Sequence, residues 1–293
     1  NKTKFWSNNG ALISIDNSNW DILAFVWWAN YYDKTIDGQV NMITSKRQPW
    51  STFKPFVYAL AIDKNPIWPQ TPIFDLKTTF PWNYEPKNFD GKFMGKMNVM
   101  TALNYSRNIP AIKAYFLAWE QKWIIDYMKT AWVKSLKDNF YYWAPLALWA
   151  WEMTPLELVW AYSVFANLWN KVEINPILKI LDSNWVIIEE KKKSSWVRVL
   201  DERTAYIINT ILSNTNYRPS AFWNNALTLN WRTVAAKTWT SNKLVVKNWT
   251  KTYFSWDLWT AWYTPQITTV VWAWNTNWKQ INSAWDWLNW AAP

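Results

Sequence analysis

The chain has 293 residues, half of them hydrophobic, so it can build a full core in one large domain or two small ones. Its formal charge of +10 suits an anionic partner such as nucleic acid, a membrane surface or an acidic cell-wall polymer, without choosing among them. The absence of His and Cys excludes a Ser-His-Asp triad, a thiol nucleophile and an ordinary zinc site, and leaves Ser or Thr with a Lys or carboxylate base.

The predicted elements begin with a hairpin formed by residues 11–15 and 21–26, followed by a polar connection to about Pro49. A helix is expected to begin near Ser51. From about residue 97 to residue 168 the apolar spacing is helical, so this middle part is expected to be mainly α. Breaks are expected near residues 108–110, 132, 145 and 155.

Strand-like patterns return in the last part of the chain, with one helix among them from about residue 201 to 213. The predicted strands are 177–181, 186–189, 233–238, 253–263 and 267–273. A charge run at 189–193 is most simply the solvated end of a hairpin. Because the first and last strands enclose a helical block, the pattern predicts an α+β fold, a central, mainly antiparallel sheet flanked by helices.

Tryptophan is abnormally frequent. There are 30 Trp and only four Gly, although Gly normally supplies about 7% of residues and serves turns that need positive φ. Six tryptophans directly follow Asn, as in the Asn-Gly pair of a type I′ hairpin turn, where φ is positive at both residues. They are Trp20, Trp185, Trp231, Trp249, Trp278 and Trp290. An indole in a left-handed position costs on the order of 1 kcal/mol or more.

This placement suggests the hypothesis that most of the tryptophans are glycines in the living protein, as would follow if UGA codons meaning glycine had been translated as tryptophan. A genuine Trp-rich surface for sugar stacking or a membrane interface is the rival interpretation, but the residues follow turns and not a stripe. UGG codons throughout the gene would end the hypothesis. Trp259 and Trp272, inside strand-like segments, are the best candidates for authentic tryptophans.

Residues 51–54 form the one Ser-x-x-Lys of the chain, a motif of which roughly one is expected by chance at this length. Pro49 precedes it and an apolar helical face follows, so Ser51 falls at a helix start, where its backbone N–H is free to bind an oxyanion. Lys54 shares its face of the helix, and apolar surroundings or a second cation would favour the neutral amine that accepts the serine proton. Taken alone, the motif fits a Ser helix cap with a solvated Lys better than it fits a catalytic pair.

Two further motifs follow, Ser-Arg-Asn at 106–108 and Lys-Thr-Trp-Thr at 237–240. The order and spacing of the three resemble the penicillin-binding proteins, the D,D-transpeptidases whose hallmarks are Ser-x-x-Lys, Ser-x-Asn and Lys-Thr-Gly-Thr. Ser7-Asn8-Asn9 also fits Ser-x-Asn. Residues 47–58, 105–111, 146–157 and 262–265 are similar to the class A, bifunctional branch of that family, with Trp50 and Trp149 where glycine is usual.

The resemblance implies a role for each motif residue. Ser51 would attack the penultimate D-Ala carbonyl of a stem peptide, Lys54 would take its proton, and Ser106 would relay a proton to the leaving amine. Asn108 would hold the substrate amide and the Lys54 ammonium, and Lys237 would supply positive charge. Thr238 and Thr240 would bind the substrate carboxylate, and the oxyanion hole would be formed by the backbone N–H groups of Ser51 and Thr240.

The main departure from the family pattern is Trp239, which stands where the family glycine leaves room for substrate against the strand. The chain as written is therefore expected to be inactive, and Trp239→Gly, with glycine at the other doubtful sites, is expected to restore acylation by a fluorescent penicillin.

The resemblance also implies the setting. We expect one transpeptidase domain over 1–293, with a first hairpin and lead-in at 1–45, a mainly helical part at 46–170 carrying the first two motifs and a sheet part at 171–293 carrying the third; the family's last helix would lie beyond Pro293. The implied partners are donor and acceptor stem peptides, with β-lactams as inhibitors, no cofactor, no metal and no nucleic acid. An upstream glycosyltransferase domain and a membrane anchor would place it at the extracytoplasmic face of the bacterial membrane.

Three alternatives stay open. A serine β-lactamase or a D,D-carboxypeptidase would share the motifs and the fold, and rapid β-lactam turnover would favour the β-lactamase. A catalytically silent penicillin-binding-like sensor or glycan-binding module would keep the fold without covalent labelling.

Overall fold

The computed structural model describes residues 7–148, 151–168, 170–171, 177–190, 197–219, 232–247 and 250–276. At residues 120, 171, 240–247 and 250–256 it describes the backbone only.

The centre of the molecule is a five-stranded antiparallel sheet. Its strands come from the two ends of the chain: β1 (Asn9–Asp16) and β2 (Ile22–Val26) from the first, and β9 (Ala235–Lys247), β10 (Thr250–Tyr263) and β11 (Ile267–Trp274) from the second. Their order in the sheet is β2-β1-β11-β10-β9. Strand β1 alternates buried and half-buried residues because one face lies against the core. The predicted α+β fold with a mainly antiparallel sheet is confirmed.

Six α-helices in the described residues supply the rest of the core. They are α1 (Lys54–Lys64), α2 (Val99–Asn104), α3 (Asn108–Leu117), α4 (Glu120–Thr130), α5 (Pro155–Ala166) and α6 (Glu202–Ser213). Helix α5 packs on β10 and β11, α6 packs on β9, and α1 lies against both α3 and α6. Nine successive residues of α1 are buried, so this helix crosses the core of the molecule.

Local signals explain where several helices begin. Pro155 opens α5, and Thr154 caps it: the Thr154 hydroxyl accepts the Glu157 N–H at 3.1 Å while the Glu157 carboxylate accepts the Thr154 N–H at 2.9 Å. Asp201 caps α6 through the Arg203 N–H at 2.8 Å.

Three small two-stranded sheets complete the described structure. The one that matters for the site pairs β3 (Pro72–Asp75) with β4 (Gly95–Asn98). The others pair β5 (Asn170–Lys171) with β8 (Val197–Arg198), and β6 (Lys179–Leu181) with β7 (Ile187–Glu190).

The structure corrects three expectations. Helix α3 begins at Asn108 and carries Pro110 in its first turn, where a missing N–H costs nothing, so the chain breaks just before 108 and not at 108–110. The pairing of β3 with β4 was not expected, because both strands are short and one face of β3 is exposed. Strand β9 begins at 235 and runs to 247, well beyond the expected 238, and β10 begins at 250, three residues before the expected 253, because the two strands pair on both sides of a bulge between Ser255 and Leu258. The charge run at 189–193 lies partly outside the described residues.

Turns in the described residues place tryptophan where glycine is favoured. Eleven residues other than Gly have positive φ, and seven of them are Trp. The seven are Trp20, Trp50, Trp82, Trp119, Trp132, Trp143 and Trp185. The hairpin turns are not of type I′, however: φ is positive at Trp20 and Trp185 but not at the preceding Asn19 and Asn184.

The turn before β7 shows the reason. The Trp185 N–H bonds the Asp182 carbonyl at 3.1 Å and the Asp182 N–H bonds the Val186 carbonyl at 2.9 Å, which is a three-residue turn with its last residue left-handed. The other four Asn-Trp pairs lie outside the described residues; they end at Trp231, Trp249, Trp278 and Trp290.

Candidate active site

Ser51 lies in a short 3₁₀ turn, Trp50–Thr52, that leads directly into α1. The Phe53 N–H closes the turn on the Trp50 carbonyl at 2.9 Å, and Trp50 is left-handed with φ of 45°. This turn packs against β9 and β10, the strand pair that carries the third motif. Ser51 therefore lies half-buried at the junction of the helices with the sheet.

The Lys54 side chain is 1% exposed and points from the first turn of α1 at the second motif. Its Nζ donates to the Ser106 carbonyl at 2.5 Å and to Asn108 Oδ1 at 2.7 Å, with a longer contact of 3.4 Å to Ser106 Oγ. Residues more than fifty positions apart in the chain thus converge on one buried amine.

The second motif is held by the way that α2 ends. The Ser106 N–H bonds the Leu103 carbonyl at 3.1 Å and the Arg107 N–H bonds the Ala102 carbonyl at 3.0 Å, the two bonds of a Schellman motif. Ser106 takes the left-handed position of that motif, with φ of 55°, where glycine is commonest. A non-glycine residue in such a position is the kind of local strain that concentrates at functional sites, and here it turns the Ser106 carbonyl towards Lys54.

Lys237 brings a second buried cation from β9. It is 3% exposed, and its Nζ donates to the Thr238 carbonyl at 3.0 Å. Burial lowers the pKa of Lys237 to about 7. Burial, followed by the charges of Lys237 and Arg107, holds the pKa of Lys54 well below its usual value, and Asp75 opposes them. The surroundings of Lys54 therefore favour the neutral amine over the ammonium.

Two stacked indoles lie where the Ser51 turn meets the third motif. Trp239 is 5% exposed and stacks on Trp50, with ring centroids 5.3 Å apart and planes 14° from parallel. Trp50 directly precedes Ser51, and Trp239 pairs in register with Trp259 of β10. The two rings fill the space between the Ser51 turn and strand β9.

The structure places the remaining predicted residues on the same strand. Thr238 is half-buried beside Lys237, and Thr240 pairs with Leu258, with only its backbone described. All the predicted residues thus lie on three adjoining elements: the Ser51 turn with α1, the turn between α2 and α3, and β9.

Sequence reasoning missed the groups behind the second motif, Asp75 and Asn88. Asp75 and Arg107 form a buried ion pair at 2.8 Å, and Asn88 accepts the Asn108 N–H at 2.8 Å. No sequence motif includes Asp75 or Asn88. The sequence offers one hint of a buried acidic partner, which is that the charged residue Arg107 stands between the motif residues Ser106 and Asn108.

The fold and the site together define a class: α+β proteins in which a Ser-x-x-Lys helix start meets a Ser-x-Asn turn and a cationic sheet strand. A family model described as the penicillin binding protein transpeptidase domain matches residues 10–286. The chain belongs to the penicillin-binding protein transpeptidase family.

Relatives in the same family are similar over most of the chain. Penicillin-binding protein 1A of Neisseria flavescens is 30% identical over 278 residues, which cover 89% of this chain and 32% of that protein. Penicillin-binding protein 1F of Bacillus subtilis is 28% identical over 275 residues, 90% of this chain and 34% of that protein. The chain therefore spans about a third of the length of the curated relatives that it matches.

Solved structures show the same fold. Penicillin-binding protein PonA1 of Mycobacterium tuberculosis has a TM-score of 0.78 at 17% identity, covering 96% of this chain and 72% of the other. Penicillin-binding protein 1A of Haemophilus influenzae has a TM-score of 0.75 at 23% identity, covering 96% and 47%. Among the described residues, none of the helices combines the length and apolar character needed to cross a bilayer.

Proposed function

We propose that this chain is a peptidoglycan D,D-transpeptidase domain that transfers an acyl group through an ester on Ser51. The observation that carries the proposal is the Lys54 amine, buried three residues after Ser51, bonded to both Ser106 and Asn108, and with a pKa lowered by burial and by two neighbouring cations. A solvated, charged Lys is a poor base, whereas burial and neighbouring cations favour the neutral form of Lys54, which is the form that accepts a serine proton.

In the first half-reaction, neutral Lys54 accepts the Ser51 proton while Ser51 Oγ attacks the penultimate D-Ala carbonyl carbon. The N–H groups of Ser51 and Thr240 stabilise the oxyanion that forms on the carbonyl oxygen. The C–N bond then breaks, and the proton passes from Lys54 through Ser106 to the leaving D-Ala amine. The 3.4 Å approach of Lys54 Nζ to Ser106 Oγ supports this relay.

In the second half-reaction, an amine of another stem peptide attacks the Ser51 ester, loses its proton by the reverse relay and releases the serine hydroxyl. The product is the cross-link. The positive charge of Lys237, with Thr238 and Thr240, binds the substrate carboxylate. A β-lactam follows the same first step, but its leaving amine stays tethered to the acyl group, so Ser51 remains blocked.

We further propose that the left-handed tryptophans and Trp239 are glycines in the living protein, decoded from UGA. Seven positive-φ tryptophans among eleven such residues support this, as does the buried indole N–H of Trp20, which meets no acceptor in the described part of the chain. By contrast, Trp259 and Trp272 lie fully inside strands and stack on each other at 5.3 Å, as authentic core residues do.

The test uses a glycine-restored protein, defined as the chain with glycine at the seven left-handed tryptophans and at Trp239. We expect a fluorescent penicillin to label it on Ser51, as located by mass spectrometry of the labelled peptide. Lys54→Met should slow labelling by about 10²- to 10⁴-fold, the range of general-base catalysis.

Lys64→Met is the matched control, because Lys64 lies on the same helix but pairs with Asp63 away from the site. It should label at the parent rate. A folded glycine-restored protein that never labels would contradict the assignment and favour the silent sensor or glycan-binding module.

The fate of the acyl-enzyme separates the related enzymes. A long-lived penicilloyl ester with transfer to an added amine supports the transpeptidase, rapid β-lactam hydrolysis supports a β-lactamase, and release of D-Ala without cross-linking supports a D,D-carboxypeptidase.

We place this activity at the extracytoplasmic face of the bacterial membrane, on a longer protein with an upstream glycosyltransferase domain and an anchor. The support is similarity to class A relatives over about a third of their length.

A further inference from the structure

The turn that carries Ser106 and Asn108 rests on a buried polar cluster behind it. The cluster belongs to the segment 75–98, which leaves β3 at Asp75, loops outwards and returns along β4. The Arg107 guanidinium enters this loop and is 1% exposed. It donates to Asp75 at 2.8 Å, to Asp90 at 2.9 Å and to the Lys92 carbonyl at 2.5 Å.

Asp75 ties the cluster together with both carboxylate oxygens. One accepts the Asn88 amide at 2.8 Å, and the other accepts Arg107 Nε and the Met94 N–H, the latter at 3.0 Å. Asp75 is fully buried, so these bonds replace all of its contact with water. A buried carboxylate with three donors is a rigid anchor, because releasing Arg107 leaves an unpaired charge in the core and releasing either neutral donor leaves that donor without its hydrogen bond to the carboxylate.

The cluster reaches the catalytic amine through Asn108. Asn88 Oδ1 accepts the Asn108 N–H at 2.8 Å, and the Asn108 side-chain amide donates to the Lys87 carbonyl at 2.8 Å. These two bonds orient Asn108 so that its Oδ1 faces Lys54 Nζ at 2.7 Å. An unbroken series of hydrogen bonds therefore runs from Asp75 through Asn88 and Asn108 to Lys54.

We propose that Asp75 is a positioning residue for acyl transfer, which holds Arg107 and Asn88 so that the Ser106 carbonyl and Asn108 Oδ1 are aimed at Lys54. The inference rests on the proposed function of Lys54 as the base. It assigns to the loop 76–94 a part in catalysis through the bonds that Asn88 and Lys87 make to Asn108.

Charge gives the cluster a second effect that a purely structural role would not have. The charged groups around Lys54 are Lys237 from β9, Arg107 from the turn between α2 and α3, and Asp75 from the end of β3. Tyr58, one turn further along α1, stays neutral because burial and Asp75 raise its pKa. Of these groups Asp75 alone raises the pKa of Lys54, since its negative charge favours the ammonium.

The test compares variants made in the glycine-restored protein. Asp75→Asn should lower the first-order acylation rate by about 10- to 100-fold, the cost of misplacing a reacting group by a fraction of an ångström to one ångström. It should also move the acidic limb of the pH–rate profile to lower pH, because Lys54 then loses its proton more readily. An unchanged rate and an unchanged limb in a variant that folds would overturn the proposal.

Asn88→Ala keeps the Asp75–Arg107 ion pair and removes the Asn88 bonds to Asp75, to the Lys92 carbonyl and to Asn108, so it serves if Asp75→Asn does not fold. It should lower the acylation rate without moving the acidic limb. Glu85→Gln is the matched control, an exposed carboxylate of the same loop that bonds Thr79 and not Arg107, and it should change neither quantity.

A crystal structure of Asp75→Asn gives a readout that needs no activity. The proposal expects the contact between Lys54 Nζ and Asn108 Oδ1 to open beyond hydrogen-bonding distance. A contact that stays at 2.7 Å would overturn the proposal while leaving the function of Lys54 untouched. Conversely, an opened contact in a protein whose parent never labels would support the positioning role and contradict the proposed chemistry.

Discussion

The two halves of the candidate site differ in how well their residues fit. In the helical half, made by α1 and the turn between α2 and α3, Lys54 and Asn108 have partners at ordinary hydrogen-bond distances. In the sheet half, made by the Ser51 turn and β9, the indoles of Trp50 and Trp239 stack on each other between the turn and the strand. The contacts of the Lys54 amine are therefore made away from the two indoles, which lie in the half that carries Ser51.

The largest effect is expected when one of the two stacked indoles, Trp50 or Trp239, is left in place while the other sites are changed to glycine. In versions of the glycine-restored protein that keep either Trp50 or Trp239, we expect penicillin labelling of Ser51 to fall by more than about 10²-fold, because an indole displaces the ligand by more than an ångström. Stopped-flow or gel fluorescence measures the rate.

A version that keeps Trp185, which is 82% exposed at a distant hairpin, should label like the glycine-restored protein. Equal labelling with and without Trp239 would show that the sheet half is open as it stands.

Lys237 lies on β9 in the sheet half, but its positive charge lowers the pKa of Lys54 in the helical half. The pH dependence of Lys237 therefore tests how the two halves are coupled. Because its pKa is about 7, Lys237 loses its charge as pH rises through 7, and attraction for the β-lactam carboxylate falls with it. The second-order acylation rate should therefore decline on the alkaline side. Lys237→Gln should lower the maximum by about tenfold and remove that decline.

Lys122→Gln, at an exposed Lys on α4, controls for the change in net charge and should leave the profile as it was. If the alkaline decline survives in Lys237→Gln, another group causes it.

The smallest expected effect is the change in the free energy of unfolding at Trp185, a turn tryptophan, and Trp259, a strand tryptophan, is compared with it. Trp185→Gly should raise the free energy of unfolding by about 1 kcal/mol, because it relieves an L side chain at φ of 64° without losing buried area. Trp259→Gly, at a fully buried strand position, should lower the free energy by about 3–5 kcal/mol. Urea unfolding of the chain as written measures both, and a loss at Trp185 would contradict the view that glycine belongs there.

Sequence patterns predicted the α+β fold because the strands and helices differ in apolar period, and the first hairpin and α6 lie within one or two residues of their expected bounds. They failed at α3, where Pro110 sits inside the first turn, and at the β3–β4 pair, whose short strands carry little pattern. The site motifs were visible as letters, but Asp75 and Asn88 were not, because their roles come from contacts made across the fold.

What the sequence alone determined is the kind of chemistry. Without His or Cys, any nucleophilic catalysis must use Ser or Thr with a Lys or carboxylate base, and the chain carries a single Ser-x-x-Lys. The tertiary structure decided the environment of the Lys54 amine, and with it the direction in which its pKa is shifted. Lys54 becomes a candidate base only because folding buries it beside Lys237 and Arg107 and supplies oxygens from residues some fifty positions away. Burial and long-range contacts set a pKa, and neither is written in local sequence.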